Sequence, residues 1–280
     1  MKYDGRRVWF ITGAATGIGR TLAEEVLARG ECVTATARRP SRLSELEESY
    51  PDTVLAAGLD VTKPEEARAA MQAAASRFGH IDVVVNNAGF GLFGALEELP
   101  NEELRREFDT NVFGAIAVIR AALPHLREQR SGHLIQISSL EGISPEVAGE
   151  TAYAATKFAC EGIAEALDKE VSELGIQVTI VEPGPVRTNF GDGASVTPPK
   201  DDDYAETVGE ALEWFEELDG KQPNDPERVA GAIIEVTDAD EPPLRLALGE
   251  EALAAIRAKL ERHERDLEAW EPLSRSTSFA

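Results

Sequence analysis

Tyr153 and Lys157 stand four residues apart in Thr151-Ala-Tyr-Ala-Ala-Thr-Lys157, at the head of an Ala-rich apolar stretch. On a helix that spacing brings both side chains to one face. A phenol ionises near pH ~10 in water, so tyrosine is a poor acid/base catalyst unless its anion is stabilised. An ammonium alongside supplies that stabilisation. The pair points to proton transfer by tyrosine. The same spacing also arises by chance on ordinary helices, so its meaning rests on the elements that position it.

Strand and helix patterns alternate along the chain. Val8–Ile11 reads as a buried strand, Gly17 to Arg29 as a helix, and Cys32–Ala37 as a second strand. Ser41 to Glu48 is helical, Val54 to Leu59 a third strand, and Pro64 starts a helix that runs to Phe78. Ile81 to Val85 is apolar enough to be a strand buried on both faces. One long helix is expected from about Asn101 to Arg130, with Pro124 a candidate position for a kink. His133–Ile137, a helix from Tyr153 to Leu174, Gln177–Val181 and Leu244–Leu248 complete about seven strands.

Repeated βα units imply a doubly wound, Rossmann-type parallel sheet with helices on both faces. No repeat or linker interrupts it, so residues 1–280 are read as a single domain. The segment 189–226, with Pro198-Pro199 and Asp201-Asp-Asp203, reads as a mobile insertion with an amphipathic helix around Trp214-Phe215, a candidate substrate lid. Gly249 to Trp270 reads as a charged C-terminal helix, and the last ten residues as a frayed tail.

Composition excludes several classes. A net charge of −23 disfavours nucleic acid and anionic membranes, which need a positive surface. No apolar run approaches the ~20 residues of a membrane span. Cys32 and Cys160 are the only cysteines; their scarcity suggests a reducing compartment, read as cytoplasmic. Four scattered histidines make no metal site.

In a doubly wound sheet, ligands bind beyond the carboxyl ends of the strands. After the first strand comes Thr12-Gly-Ala-Ala-Thr-Gly-Ile-Gly19, opening a helix. Gly13 permits a tight turn, Gly17 lets backbone approach a pyrophosphate, and Gly19 lets helix and strand pack closely. With Thr16 and Ile18 between them, these residues form a candidate phosphate cradle at a helix N-terminus. An NAD binder carries an acid after its second strand; here Ala37 is followed by Arg38, which suits a 2′-phosphate and favours NADPH over NADH. After the third strand, Asp60 and Val61 are candidates to contact adenine; Asp60 also suits a helix-start turn before Pro64. Asn87, Ala88 and Gly89 follow the fourth strand, Ser138-Ser139 the fifth, and Pro183-Gly184-Pro-Val-Arg-Thr188 the sixth.

In that order, these residues resemble the classical short-chain dehydrogenase/reductase family across about residues 6–250. The motifs that carry the resemblance are Thr12-Gly-x3-Gly-x-Gly19, Asp60, Asn86-Asn-Ala-Gly89, Asn111, Ser139, Tyr153-x3-Lys157 and Pro183-Gly184. The resemblance implies that Tyr153 is the general acid or base, and that Lys157 lowers its pKa and holds the nicotinamide ribose. Ser139 would bind the substrate oxygen, and Asn111 would hold a water linking Lys157 to solvent. Val186 and Thr188 would hold the carboxamide. Asn87–Gly94 and Val181–Thr188 are similar to the 17β-hydroxysteroid dehydrogenase-like and retinol dehydrogenase-like branch. Phe90, Leu92, Phe93 and the lid would then line an apolar pocket.

The expected activity is NADP(H)-dependent interconversion of a lipophilic secondary alcohol and ketone, by a homodimer or homotetramer. Two alternatives are a 3-oxoacyl-thioester reductase, to which an acidic surface offers little for a carrier protein, and a non-catalytic nucleotide sensor on the same fold.

Overall fold

Four apolar residues in a row, Val8 to Ile11, leave no polar face to turn to water, and they form β1, buried along its whole length. In the computed structural model, which describes residues 5–279, β1 lies inside a seven-stranded sheet. β2 (Cys32–Ala37) pairs on one side of it, with β3 (Val54–Gly58) beyond. β4 (Val83–Asn86) pairs on the other side. A separate two-stranded sheet joins β5 (Leu92–Phe93) to β8 (Ser195–Val196). Past β4 the main sheet continues through β6 (Gly132–Ile137), β7 (Ile176–Pro183) and β9 (Arg245–Leu248), every pairing parallel. The strand order reverses direction between β1 and β4, and that switch point opens the crevice where such sheets bind ligands.

Side chains alternate across the sheet with the period of two that strands impose. Trp9, Ile11, Val85 and Ile137 face one side, packing with Leu22 and Val26 of α1 (Gly17–Ala28) and Ile233 of α8 (Pro226–Asp238). Phe10, Val84, Leu134 and Ile180 face the other. They pack with Met71 of α3 (Pro64–Phe78), Val118 and Leu126 of α5 (Ala115–Gln129) and Leu167 of α6 (Thr151–Val171). Helix starts follow their local chemistry: Pro64 opens α3 with Glu65 and Glu66 in its first turn, and Gly79 closes it at φ +89°.

Three expectations change. The long helix is not continuous, and the interruption is not at Pro124, which lies inside α5. It breaks earlier: α4 (Asn101–Phe108) passes into a π-helical turn, Asp109–Gly114, before α5 begins. Asn111 in that turn bonds the backbone of Phe90 at both ends, and a Cβ on Gly114 would lie 2.6 Å from Val61. The insertion is tied down, not loose. It contributes β8 and then α7 (Glu210–Leu218), and Lys200 and Asp201 donate backbone N–H groups to the Glu98 carboxylate. Lastly, the C-terminal helix α9 runs Glu250–Arg275, so only the last few residues form a tail, and Ala280 lies outside the described residues. Glu271 accepts from Arg275 one turn on, which holds the final turn together.

Candidate active site

Strand registers bring the chemistry-bearing residues to one edge. Ile11 pairs with Ala35 and Val85, and Ile137 with Val181, so the segments after these strands lie side by side. Gly13 and Gly17 have φ of +67° and +58°, where a side chain is strained. A Cβ on Gly13 would meet Ala88 Cα at 3.1 Å, and one on Gly19 would collide with the Asn87 amide. That amide donates to Thr12 O at 2.9 Å, and Thr12 Oγ1 accepts from the N–H groups of Asn87 and Ala88. Thr12 therefore braces the loop.

The N-terminus of α1 is left for an anion. Thr16 makes no side-chain cap, no acid stands in the first turn, and Ile18 lies half-buried in it. Thr188 faces Gly17 from across the crevice, its Cβ 3.5 Å from where a Gly17 Cβ would be. Pro183 ends β7, the Gly184 N–H donates to Leu248 O at 2.9 Å, and Val186 bridges to Asn224. These residues fit a dinucleotide: bare amides for its pyrophosphate and a backbone floor without side chains beneath it.

At the adenosine end, Arg38 is exposed just past β2, and Val61 is buried. Burial pushes the Asp60 carboxyl up. Hydrogen bonds from Thr62 and the charges of Lys63 and Arg38 outweigh it and hold the group below the usual range. Asp60 Oδ1 accepts from Thr62 N and Oγ1, so the turn role expected before Pro64 is filled.

Around Tyr153 the helix face forms as its spacing requires. Tyr153 and Lys157 are both buried, the ammonium 5.5 Å from the phenol ring centroid. Lys157 Nζ donates to Ile137 O at 3.0 Å, which leaves other ammonium protons for a ligand. Ser139 lies within hydrogen-bonding reach of the phenol, and its Oγ also accepts from Glu141 N at 3.2 Å. Ser138 points elsewhere: it is buried beside Gly142, whose Cβ would sit 2.5 Å from Ser138 Oγ. Burial raises the Tyr153 phenol above its ordinary range. The Ser139 hydrogen bond opposes this, and the charges of Glu150, Glu141 and Glu107 add to it. Burial lowers Lys157 against the pull of Cys160, Glu107 and Glu161. The tyrosine is therefore a neutral acid near pH 7.

Asn111 holds the Phe90 carbonyl at 2.8 Å and donates to Thr156 Oγ1 at 3.1 Å. Its side chain therefore braces the segment after β4, while its backbone carbonyl accepts from Cys160 Sγ at 3.2 Å. Of the three apolar residues expected in a pocket, Phe93 alone packs on Tyr153, with ring centroids 5.8 Å apart. Leu92 fills a small core with Leu99 and Ala152, and Phe90 lies under Arg106. The insertion supplies the remaining wall: Phe190 is 5.7 Å from Tyr153, and Phe215 stacks on Phe93 at 5.2 Å.

Several acids near the site carry no signal in the sequence, because an isolated Glu normally lies on the surface. Glu107 is fully buried, its Oε1 accepting from Leu92 N at 3.0 Å. Burial pushes it up to about 7, against the Leu92 N–H, Lys157 and Arg106. Glu141 and Glu150 are buried together, and desolvation with their mutual contact keeps a proton on the pair. Helical spacing offers a hint only for Glu107, one turn before Asn111.

A dinucleotide cradle at the switch point, facing a Tyr–Lys–Ser cluster, defines a Rossmann-type oxidoreductase. The short chain dehydrogenase family matches residues 7–197, and the chain belongs to that family. It is similar to a solved short-chain dehydrogenase from Streptomyces avermitilis, with a TM-score of 0.91 and 42% identity, covering 98% of this chain and 100% of that one. Retinol dehydrogenase 8 of Homo sapiens is 35% identical, over 85% of this chain and 80% of its own length. The NADP-bound structure of ElxO has a TM-score of 0.74 and 26% identity, covering 89% and 99% of the two chains. The chain is thus an oxidoreductase acting on CH–OH donors, with retinol-dehydrogenase-like relatives.

Proposed function

We propose that this enzyme interconverts a lipophilic secondary alcohol and a ketone with NADP(H), using Tyr153 as general acid and base. The observation that carries the reading is the convergence of Ser139 and Lys157 on a Tyr153 phenol walled by Phe93 and Phe190. A nicotinamide dinucleotide supplies the hydride. Gly13, Thr16, Gly17, Ile18 and Gly19 hold its pyrophosphate, Asp60 and Val61 its adenine, and Asn87, Ala88 and Gly89 lie beneath it. Pro183, Gly184, Val186 and Thr188 flank the carboxamide.

Ser139 donates to the substrate oxygen and stabilises the charge that grows there. Tyr153 gives its proton to the same oxygen in reduction and takes it back in oxidation. Lys157 holds the ribose and favours the phenolate, and the Asn111 carbonyl holds a water that returns the proton from solvent. The aromatic wall contributed by 189–226 excludes water and selects an apolar substrate, which is the work of a lid. Arg38, with no acid at Ala37, selects the 2′-phosphate. The scarcity of cysteine, two in 280 residues, suits a reducing cytoplasm.

Tyr153→Phe should lower kcat at least about a hundredfold, the usual worth of a positioned proton donor. NADPH affinity, read by fluorescence titration, should stay within a few-fold. Assayed on a panel of ketones and alcohols, undiminished turnover would remove Tyr153 from the mechanism.

A further inference from the structure

The second half of α9 is exposed to solvent along its whole length. Ala252 is fully buried against the body and Ile256 half-buried, but every residue from Glu261 to Arg275 is exposed. An isolated helix of about 15 residues is marginal in water and needs a packed face. This one carries such a face. Leu253, Ile256, Leu260, His263, Leu267 and Trp270 recur at alternating steps of three and four, the heptad spacing of a two-helix seam. Leu260, Leu267 and Trp270 are 60%, 72% and 63% exposed. Surface charge does not explain the stripe, because helix and chain are both net acidic, which opposes adsorption to anionic lipid.

We propose that α9 pairs antiparallel with α9 of a second copy of this chain. The argument is charge complementarity. Placing Leu253 against Trp270 of the second copy, Ile256 against Leu267 and Leu260 against His263 fills every layer of the seam. In an antiparallel pair the flanking positions that meet are each other's equivalents. In this register Arg257 meets Glu264, and Lys259 meets Asp266, each twice by symmetry. A shift of one heptad in one direction sets Glu264 against Glu264 and Asp266 against Asp266, which cancels the Arg257–Glu271 contacts it forms. A shift in the other direction sets Arg257 against Arg257 and Lys259 against Lys259. A parallel pair sets an attractive Lys259–Glu264 contact against a repulsive Asp266–Glu271 one, and stacks His263 on itself. This antiparallel register is attractive at its four central flanking contacts and repulsive only where Glu250 meets Glu271 at the two ends. His263, the one polar residue in the seam, costs stability and further discourages other registers.

The test is sedimentation equilibrium on the full chain at low salt, with circular dichroism to verify folding. Leu260→Lys with Leu267→Lys should weaken association at least tenfold. Arg257→Glu with Lys259→Glu should do the same, and adding Glu264→Arg and Asp266→Lys to that variant should restore it. Unchanged association in either doubly substituted variant overturns the proposal, as does failure of the compensating charges to rescue. Co-flotation of the wild-type chain with vesicles of phosphatidylcholine and phosphatidylserine, lost on Leu260→Lys with Leu267→Lys, would assign the stripe to a lipid surface and also overturn it.

Discussion

A single position, Ala37, bears most on which dinucleotide the site takes. It ends β2 in register with Gly58, and the following Arg38 is the residue proposed to meet a 2′-phosphate. Arg38 is exposed and acts electrostatically on Asp60, which places its charge at that end of the crevice. Ala37→Asp with Arg38→Ala introduces the acid that bonds a 2′-hydroxyl and removes the partner of a 2′-phosphate. The ratio of kcat/KM with NADPH to that with NADH should fall by at least about tenfold, the worth of one charge-assisted contact at 1.4 kcal/mol. An unchanged ratio would put 2′-phosphate recognition elsewhere. At this scale Tyr153, Lys157 and Ser139 are legible in sequence, because spacing on a helix and position after a strand are local properties. The structure adds a physical separation of the two serines: Ser138 packs beside Gly142, and Ser139 lies against Tyr153.

Among the elements, the α4–α5 junction and the insertion differ most from expectation. A π-turn at Asp109–Gly114 shifts the helix register, and π-turns cluster at functional sites. It lets Asn111 brace the Phe90 backbone, just past the buried end of α4, where Glu107 bonds Leu92 N. The Glu107 carboxyl sits at about 7, above the ~4.3 of an unfolded glutamate. A raised value means that the folded state holds the proton more tightly. The stabilisation is complete below pH ~4.3 and is lost as pH rises through 7. Glu107→Gln keeps the acceptor for Leu92 N and never ionises. It should nearly match the wild type in denaturant unfolding at pH 4.5 and exceed it by roughly 3–4 kcal/mol at pH 8. Equal stability at pH 8 would mean that Glu107 is not held in a desolvated site. The short pairing of β5 with β8 was invisible for a related reason: two-residue strands carry no periodicity.

The whole molecule carries a net charge of −23, far from neutrality for 280 residues. Self-repulsion on this scale destabilises the compact state, and salt shortens its reach from ~10 Å at 0.1 M to ~3 Å at 1 M. The thermal midpoint should therefore rise by several degrees over that range of sodium chloride in a calorimetric scan. A flat or falling midpoint would mean that the charges are already locally paired, as Arg245 is with Glu161, Glu165 and Glu182. By itself the sequence determined the parallel α/β sheet, its strand order in the chain, the glycine loop and the Tyr153–Lys157 face. Each follows from hydrophobic period, turn chemistry or helical spacing within a few residues. Only the tertiary structure decided which acids are buried, which aromatic rings cover the tyrosine, where the long helix breaks, and that α9 leaves the body with its apolar stripe exposed. Those outcomes depend on contacts between segments far apart in the chain, and burial is a property of the packed whole, not of any local pattern. For Tyr153 the division is clear: spacing placed it beside Lys157, but packing by Phe93, Phe190 and three acids set its proton affinity.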